Sequence, residues 1–362
     1  MSSNPRPPTS WITIVQSLRP RPLGKAAVSP IMPGPSQPRR ARFAALLAVW
    51  ALAGCESFEP ARYATVESVR VGPPELFHGL PVETGQIVVN EKPGGISLFL
   101  SLVGERFEPW IHAGIVVVED GRPWVYEAFG LMMPNLSGNP NDGMRGGVRR
   151  VSLESLIVRG GYVEIHDPPA GVDRQQLAAF ARQHHRARTR FDAYFDASDP
   201  SRLYCVEFVA RAVEASGGMP VAASGVNRNA SLRVALDWLK IDADSLLLAG
   251  TLVAPQRRVI RISREDTPEQ MEFYFAMKRE LHRRFTTEQK LGSLLQWKRQ
   301  NLRLRAAVAA YYDAGMAALA ADAGAIRLDM NDAAVELAAS MFGSVRIPGA
   351  NSASDKVAQR RE

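Results

Sequence analysis

The sequence predicts an α+β protein. Short β-prone runs cluster in its middle, two helical periods follow them, and everything after residue 263 reads as helix. Residues 86–89 form the first β-prone run, directly after Gly85. Residues 111–118 are rich in β-branched side chains, 124–128 make a third run, and 161–165 a weaker fourth. Residues 172–188 read as a helix. Residues 201–216 read as a second, with Leu203, Val206, Val209, Ala210 and Val213 at helical spacing. These elements make one mixed domain over 80–263.

The C-terminal part, 264–343, reads as a helical region. Thr267-Pro268-Glu269-Gln270 supplies a cap, a first-turn proline and a capping-box partner. Long helices are predicted over 268–286 and 287–323, the latter on a stripe of Leu291, Leu294, Leu295, Leu302 and Val308, with a shorter one over 330–342. A helical hairpin packed on the core is the expected role, and a protein-partner arm the alternative. Residues 344–362 read as a disordered tail, and no internal repeat is visible.

The N-terminus carries a different signal. Nine of the 25 prolines lie in residues 1–38, a density that blocks helices and sheet ladders alike. Arg39, Arg40 and Arg42 then precede an uncharged apolar run over 43–52, followed by small residues, in the order of a secretory signal. Leu52-Ala53-Gly54-Cys55 resembles the lipobox of bacterial lipoproteins. The resemblance implies cleavage before Cys55, a diacylglycerol on its sulfur and an acylated amine. The expected organisation is a signal peptide over 1–54, with 1–31 a start-site artefact ahead of Met32, and a lipid-anchored tether over 55–79. Glu56 is not the aspartate associated with inner-membrane retention in enteric bacteria. The expected location is therefore the cell envelope, anchored in the outer membrane and facing the periplasm.

Charge excludes one class of partner. The chain has a net charge of +7, but seven of its 44 basic residues and none of its 37 acidic ones precede Cys55. The remainder is balanced, 37 against 37, so no nucleic acid is expected as partner. The two cysteines are Cys55 and Cys205. With Cys55 taken by lipid, Cys205 has no disulfide partner within the chain.

Three residues carry the chemistry: His112, Glu127 and Cys205. Asp120-Gly121 between two strand signals predicts a two-residue hairpin loop. Glu119 then pairs with Arg122, Gly114 lies opposite Glu127, and His112 shares a face with both. Glu127 is the diagonal neighbour of His112, and the missing side chain of Gly114 leaves room between them. A carboxylate orients an imidazole and stabilises its cation, and an imidazolium beside a thiol favours the nucleophilic thiolate. Cys205, early in its predicted helix, also gains from the helix N-terminus. Competing readings are weaker. His184 and His185 are adjacent and point apart, without further ligands at metal spacing, so no metal is expected. His166-Asp167 is a fallback orienting pair. Gly94-Gly95 lacks the context of a phosphate loop.

The stretch from Gly85 to Val209 resembles the permuted papain-fold hydrolases of the YiiX/YebB-like type, relatives of the NlpC-type cell-wall peptidases. The matching pieces are Gly85-Gln86-Ile87-Val88, His112-Ala113-Gly114-Ile115-Val116, Tyr126-Glu127-Ala128, Phe191-Asp192 with Tyr194, and Tyr204-Cys205-Val206-Glu207-Phe208-Val209. The histidine strand precedes the cysteine helix, as in that family. The resemblance implies Cys205 as nucleophile, His112 as base and acid, and Glu127 as orienter, with Tyr204, Asp192 and Glu207 in support. Val206 stands where the family often has Ser, and Phe191 where it has Tyr. The implied activity is hydrolysis of an amide or ester without a cofactor, on a cell-wall peptide or on a lipid acyl group. A non-catalytic binding module and a scaffold lipoprotein are the other classes.

Overall fold

The largest element is an eight-stranded sheet. The computed structural model describes residues 82–131, 145–254, 257–263, 266–298, 301–321, 326 and 329–345. Cys55, the signal peptide, the tether and residues 346–362 of the tail lie outside them. In chain order come β1 (Ile87–Glu91), α1 (Gly95–Val103), β2 (His112–Glu119), β3 (Arg122–Leu131), β4 (Arg145–Ser152), α2 (Leu153–Gly160), β5 (Tyr162–His166), α3 (Arg174–Ala187), β6 (Arg190–Phe191), β7 (Arg202–Leu203) and α4 (Cys205–Ala215). Next are β8 (Ser224–Gly225), α5 (Ala230–Leu239), β9 (Ser245–Leu246), β10 (Arg258–Ser263) and α6 (Pro268–Thr287). The described chain ends with α7 (Leu291–Leu294), β11 (Leu295–Lys298), β12 (Asn301–Leu304), α8 (Ala306–Ala321) and α9 (Met330–Phe342). The sheet order is β10-β5-β1-β2-β3-β4-β6-β7, antiparallel except for the parallel β6–β7 pair.

Alternation along the strands builds two apolar layers. Ile87, Val89, Ala113, Ile115, Val117 and Ala128 face the larger core, which includes Leu98, Leu177, Phe208, Phe273 and Tyr311 from the helices. Val88, Val116, Val125, Val163 and Ile165 face the other way, against Leu153, Leu156 and Ile157 of α2. The β2–β3 hairpin has the register expected from its turn, from Glu119↔Arg122 to Ile115↔Tyr126. Asp120 and Gly121 both have positive φ, 50° and 73°, as a type I′ turn requires.

Two sequence expectations need correction. Residues 287–323 are not one helix: α7 is a single turn, then β11 and β12 pair as a hairpin from Leu295↔Leu304 to Lys298↔Asn301 before α8 begins. The leucine stripe also fits this arrangement, because Leu294 and Leu295 are buried while Leu302 and Leu304 pack on the same core from the returning strand. The cysteine helix starts at Cys205 rather than 201. Arg202 and Leu203 pair with Arg190 and Phe191, which holds them extended. Sequence reading also passed over α1, β4, α2, α5 and β10. The helix α6 is not a surface arm: Met271, Phe273, Tyr274, Met277, Leu281 and Phe285 are all essentially inaccessible. Among the described residues no helix is long and apolar enough to cross a membrane.

Candidate active site

Cys205, His112 and Glu127 converge at one end of the sheet. Cys205 is the first residue of α4, 9% exposed, preceded by the extended Tyr204 (φ −87°, ψ 168°). That position leaves first-turn backbone N–H groups without intrahelical partners, aimed at the region beside the sulfur. His112 is the first residue of β2. Although α4 packs on the larger core, its first turn reaches the strand end and brings Cys205 close enough to the His112 ring to raise the pKa of that ring. The Nε2–H of His112 donates to Glu127 Oε2 at 2.7 Å, so Nδ1 is the nitrogen that meets the thiol. Gly114 contributes in a different way from the expected gap. A Cβ there would lie 2.7 Å from Val125 and 2.9 Å from the Tyr126 carbonyl, so the bare backbone permits close strand packing.

The electrostatics follow from burial and partners. Loss of water pushes the His112 pKa down, but neighbouring Cys205 and Glu127 outweigh it, and the ring is pushed up to about 10. Glu127 is fully buried, which pushes its carboxyl up. The hydrogen bond and charge of His112, with Arg149 and Arg159, reverse this and hold it down to about 2. Arg149 lies directly across from Glu127 in the β3–β4 register. Its Nε donates to Oε1 at 2.8 Å and its Nη2 lies 2.7 Å away. Arg159 Nη2, from the end of α2, donates to the same oxygen at 3.3 Å. Sequence reading missed both arginines. The cross-strand pair was hidden because the long β3–β4 connection leaves the register of β4 unspecified.

The three supporting residues act through backbone and packing. Tyr204 is buried, its hydroxyl accepts from Leu247 N–H at 3.1 Å, and its ring lies 4.9 Å from Phe195. Burial raises its pKa. Glu207 accepts from the Tyr204 N–H at 3.4 Å and from Arg211 Nε at 2.7 Å, and burial pushes it up to about 7. Asp192 is not joined to the His112–Cys205 pair. It accepts the backbone N–H groups of Tyr194 and Asp196, bracing the loop ahead of β7. The fallback residues are elsewhere: His166 bonds Glu164 at 2.9 Å, and Asp167 pairs with Arg174 at 2.6 Å. His184 bonds Thr189 and His185 packs edge-on to Tyr126, so the two do not act together.

A cavity of about 1550 Å³ opens beside the cysteine. Much of its wall is apolar, including Ile96, Phe99, Leu100, Phe195, Leu236 and Leu246. Asn90, Lys92, Arg149, Arg159 and Arg188 also contribute to the wall. The arrangement sets a nucleophile, a proton carrier and an oriented carboxylate beside a largely apolar cavity.

No family model matches the chain, and no curated protein matches it. Among solved structures, it is similar to the crystal structure of the metalloprotein YiiX from Escherichia coli O157:H7. The identity is 19% and the TM-score 0.39, over 51% of this chain and 99% of that one.

Proposed function

We propose that this protein is a cysteine hydrolase of the bacterial cell envelope, with a permuted papain-like catalytic domain and a lipid anchor on Cys55. The observation that carries the catalytic part is the meeting of Cys205 with the His112 ring, whose other side is hydrogen-bonded to the buried Glu127 at 2.7 Å. The Cys205 thiolate attacks a carbonyl carbon. The oxyanion is held by N–H groups of the first turn of α4. The C–O or C–N bond then breaks, and His112 gives its proton to the leaving group. Water adds to the resulting thioester as His112 takes a proton back. The acid is released and the thiolate returns. Glu127 keeps the ring oriented and its cation stable throughout.

Between a cell-wall peptide and an acyl substrate, the cavity favours the acyl group. The leucine, isoleucine and phenylalanine side chains of its wall suit an alkyl chain. The anchor rests on the sequence order of basic cluster, apolar run and Leu-Ala-Gly-Cys.

Iodoacetamide labelling tests the site. At pH 6, Cys205 in the wild type should label at least about tenfold faster than in His112→Ala, because the imidazolium favours the thiolate. Equal rates would leave a non-catalytic binding module as the better reading. Fatty-acid labelling tests the anchor: Cys55→Ser should lose all label, and undiminished label would refute it.

A further inference from the structure

The end of the cavity around His112 carries more positive charge than the catalytic groups need. Glu127 faces three cations: His112, Arg149 and Arg159. Lys92 lines the same wall. Burial and then the charge of Arg159 lower its pKa, which puts Lys92 and Arg159 within each other's field. Arg188 lines the cavity as well. Of the other acidic lining groups, Glu108 is turned onto the N–H groups of Trp110 and Gly250, and Glu154 sits in the first turn of α2 while Arg159 sits in its last.

The two guanidiniums are held in place. Arg149 lies 3.5 Å from the centroid of the Phe129 ring and Arg159 5.8 Å from it. Each presents five N–H donors. Arg159 gives one to Ser155 O at 3.2 Å and turns another towards Glu127 at 3.3 Å. Stacking of Arg149 on the ring fixes the plane of its guanidinium, while Arg159 is held by its bonds to Ser155 and Glu127.

A second, independent feature points to the same place. Asn90 lies opposite His112 in the β1–β2 register and lines the cavity. It is only 7% exposed, and its Oδ1 is buried without a hydrogen-bond partner. Such atoms are uncommon and costly in folded proteins unless a ligand or water completes them. An amide oxygen calls for a donor, such as a hydroxyl, while the arginines call for an anion.

We propose that Asn90, Lys92, Arg149 and Arg159 form a headgroup site for a hydroxyl-bearing phosphate monoester, so that the substrate is an acyl ester of a polyol phosphate. The substrate part of this assignment rests on the acyl-hydrolase reading above. The geometry sets the reach. One carboxylate, Glu127, bridges His112 at 2.7 Å and the two guanidiniums at 2.7–3.3 Å, so the anion sits about one carboxylate's breadth from the imidazole that serves the sulfur. A head with only a few bonds between ester and phosphate spans that distance, while the alkyl chain extends along the apolar wall.

Calorimetry with two ether-linked probes, which cannot be hydrolysed, separates recognition from catalysis. The probes are 1-O-octyl-glycerol 3-phosphate and 1-O-octyl-glycerol, titrated into the mature protein. The phosphate should strengthen binding at least about tenfold, as charge-assisted pairs to arginine do. Arg159→Gln should shrink that advantage to about threefold or less, with Lys92→Gln as the second variant should the first not fold. Equal affinity for the two probes, or an advantage that survives both substitutions, would overturn the headgroup site. Inorganic phosphate binding as tightly as the phosphate probe would overturn the amphiphile and leave a free-anion site. Turnover of the matching acyl ester, abolished in Cys205→Ala, tests the hydrolase reading separately.

Discussion

Glu127 and Glu91 are both fully buried carboxylates on strands of one sheet, facing opposite layers, and they do different things. Glu91, at the end of β1, accepts from Tyr274 Oη at 2.6 Å and from Ser97 Oγ, and pairs with Lys278 Nζ at 3.0 Å. Lys278 is itself inaccessible and donates to Pro109 O at 3.2 Å. Helices α1 and α6 close over this cluster. Glu127 instead pairs with a ring 15% exposed and with arginines 37% and 40% exposed, at the wall of a cavity. Burial of a carboxylate therefore does not mark chemistry. A partner that can carry a proton and a route to substrate do.

The comparison is broken most directly by removing α6. Truncation after Ile262 deletes Tyr274 and Lys278 together with seven further buried apolar side chains of that helix. The Glu91 side of the sheet would then face water. The expected outcome is a chain without native far-UV circular dichroism and open to protease. A soluble remnant with a reactive Cys205 would mean that the C-terminal helices are an appendage.

Paired substitutions sharpen it next. Glu127→Gln should lower kcat/KM by about 100- to 10,000-fold, as loss of a triad carboxylate's charge does. Its melting temperature should fall less than that of Glu91→Gln, because the arginines it leaves are 37% and 40% exposed and can regain water. Glu91→Gln should do the reverse. It leaves Lys278 as an inaccessible charge, at a cost of about 3–5 kcal/mol, with turnover per folded molecule preserved. Denaturant unfolding and steady-state kinetics on both variants check this, and an exchange of the two phenotypes would invert the assignment.

The pH dependence separates the clusters further. Glu127 is held at about 2, below its ordinary 4.5. Its contribution to stability is present above 4.5 and lost as pH falls through about 2. His112 is raised from 6.5 to about 10. Its contribution is full below 6.5 and lost as pH rises through about 10. The stability difference between wild type and His112→Gln should therefore be largest between these ordinary values, from 4.5 to 6.5, and shrink on both sides. Lys278 has the opposite alkaline sign. Burial lowers its pKa, so its penalty is relieved as pH rises towards 10.5. Equilibrium unfolding across pH resolves the two slopes.

Much of the candidate site was legible because its constraints are local. Asp120-Gly121 fixed the hairpin, and the hairpin fixed which face His112 and Glu127 share. The parts that were not legible depend on distant pairing. Asn90 meets His112 only through the β1–β2 register, which no short turn sets. Arg145 to Ser152 is rich in arginine and glycine and becomes a strand only against its long partner β3. Leucines at 291–302 fit a helix as well as a turn and hairpin, and tertiary burial decides between them.

The smallest expected effect concerns Arg149. It bonds Glu127 with good geometry, yet the hydrogen bond and charge of His112 do more to hold the carboxyl down, and Arg159 remains if Arg149 is lost. Arg149→Gln should therefore keep Glu127 ionised at pH 7 and lower kcat/KM there by about tenfold or less. Its signature should lie on the acid side. Removing one positive charge raises the Glu127 pKa from about 2, so the acid limb of the activity profile should begin at higher pH than in the wild type. The measurement is kcat/KM from pH 3 upward for both proteins under identical salt. A limb that does not move would mean that Arg149 plays no part in setting the charge of Glu127.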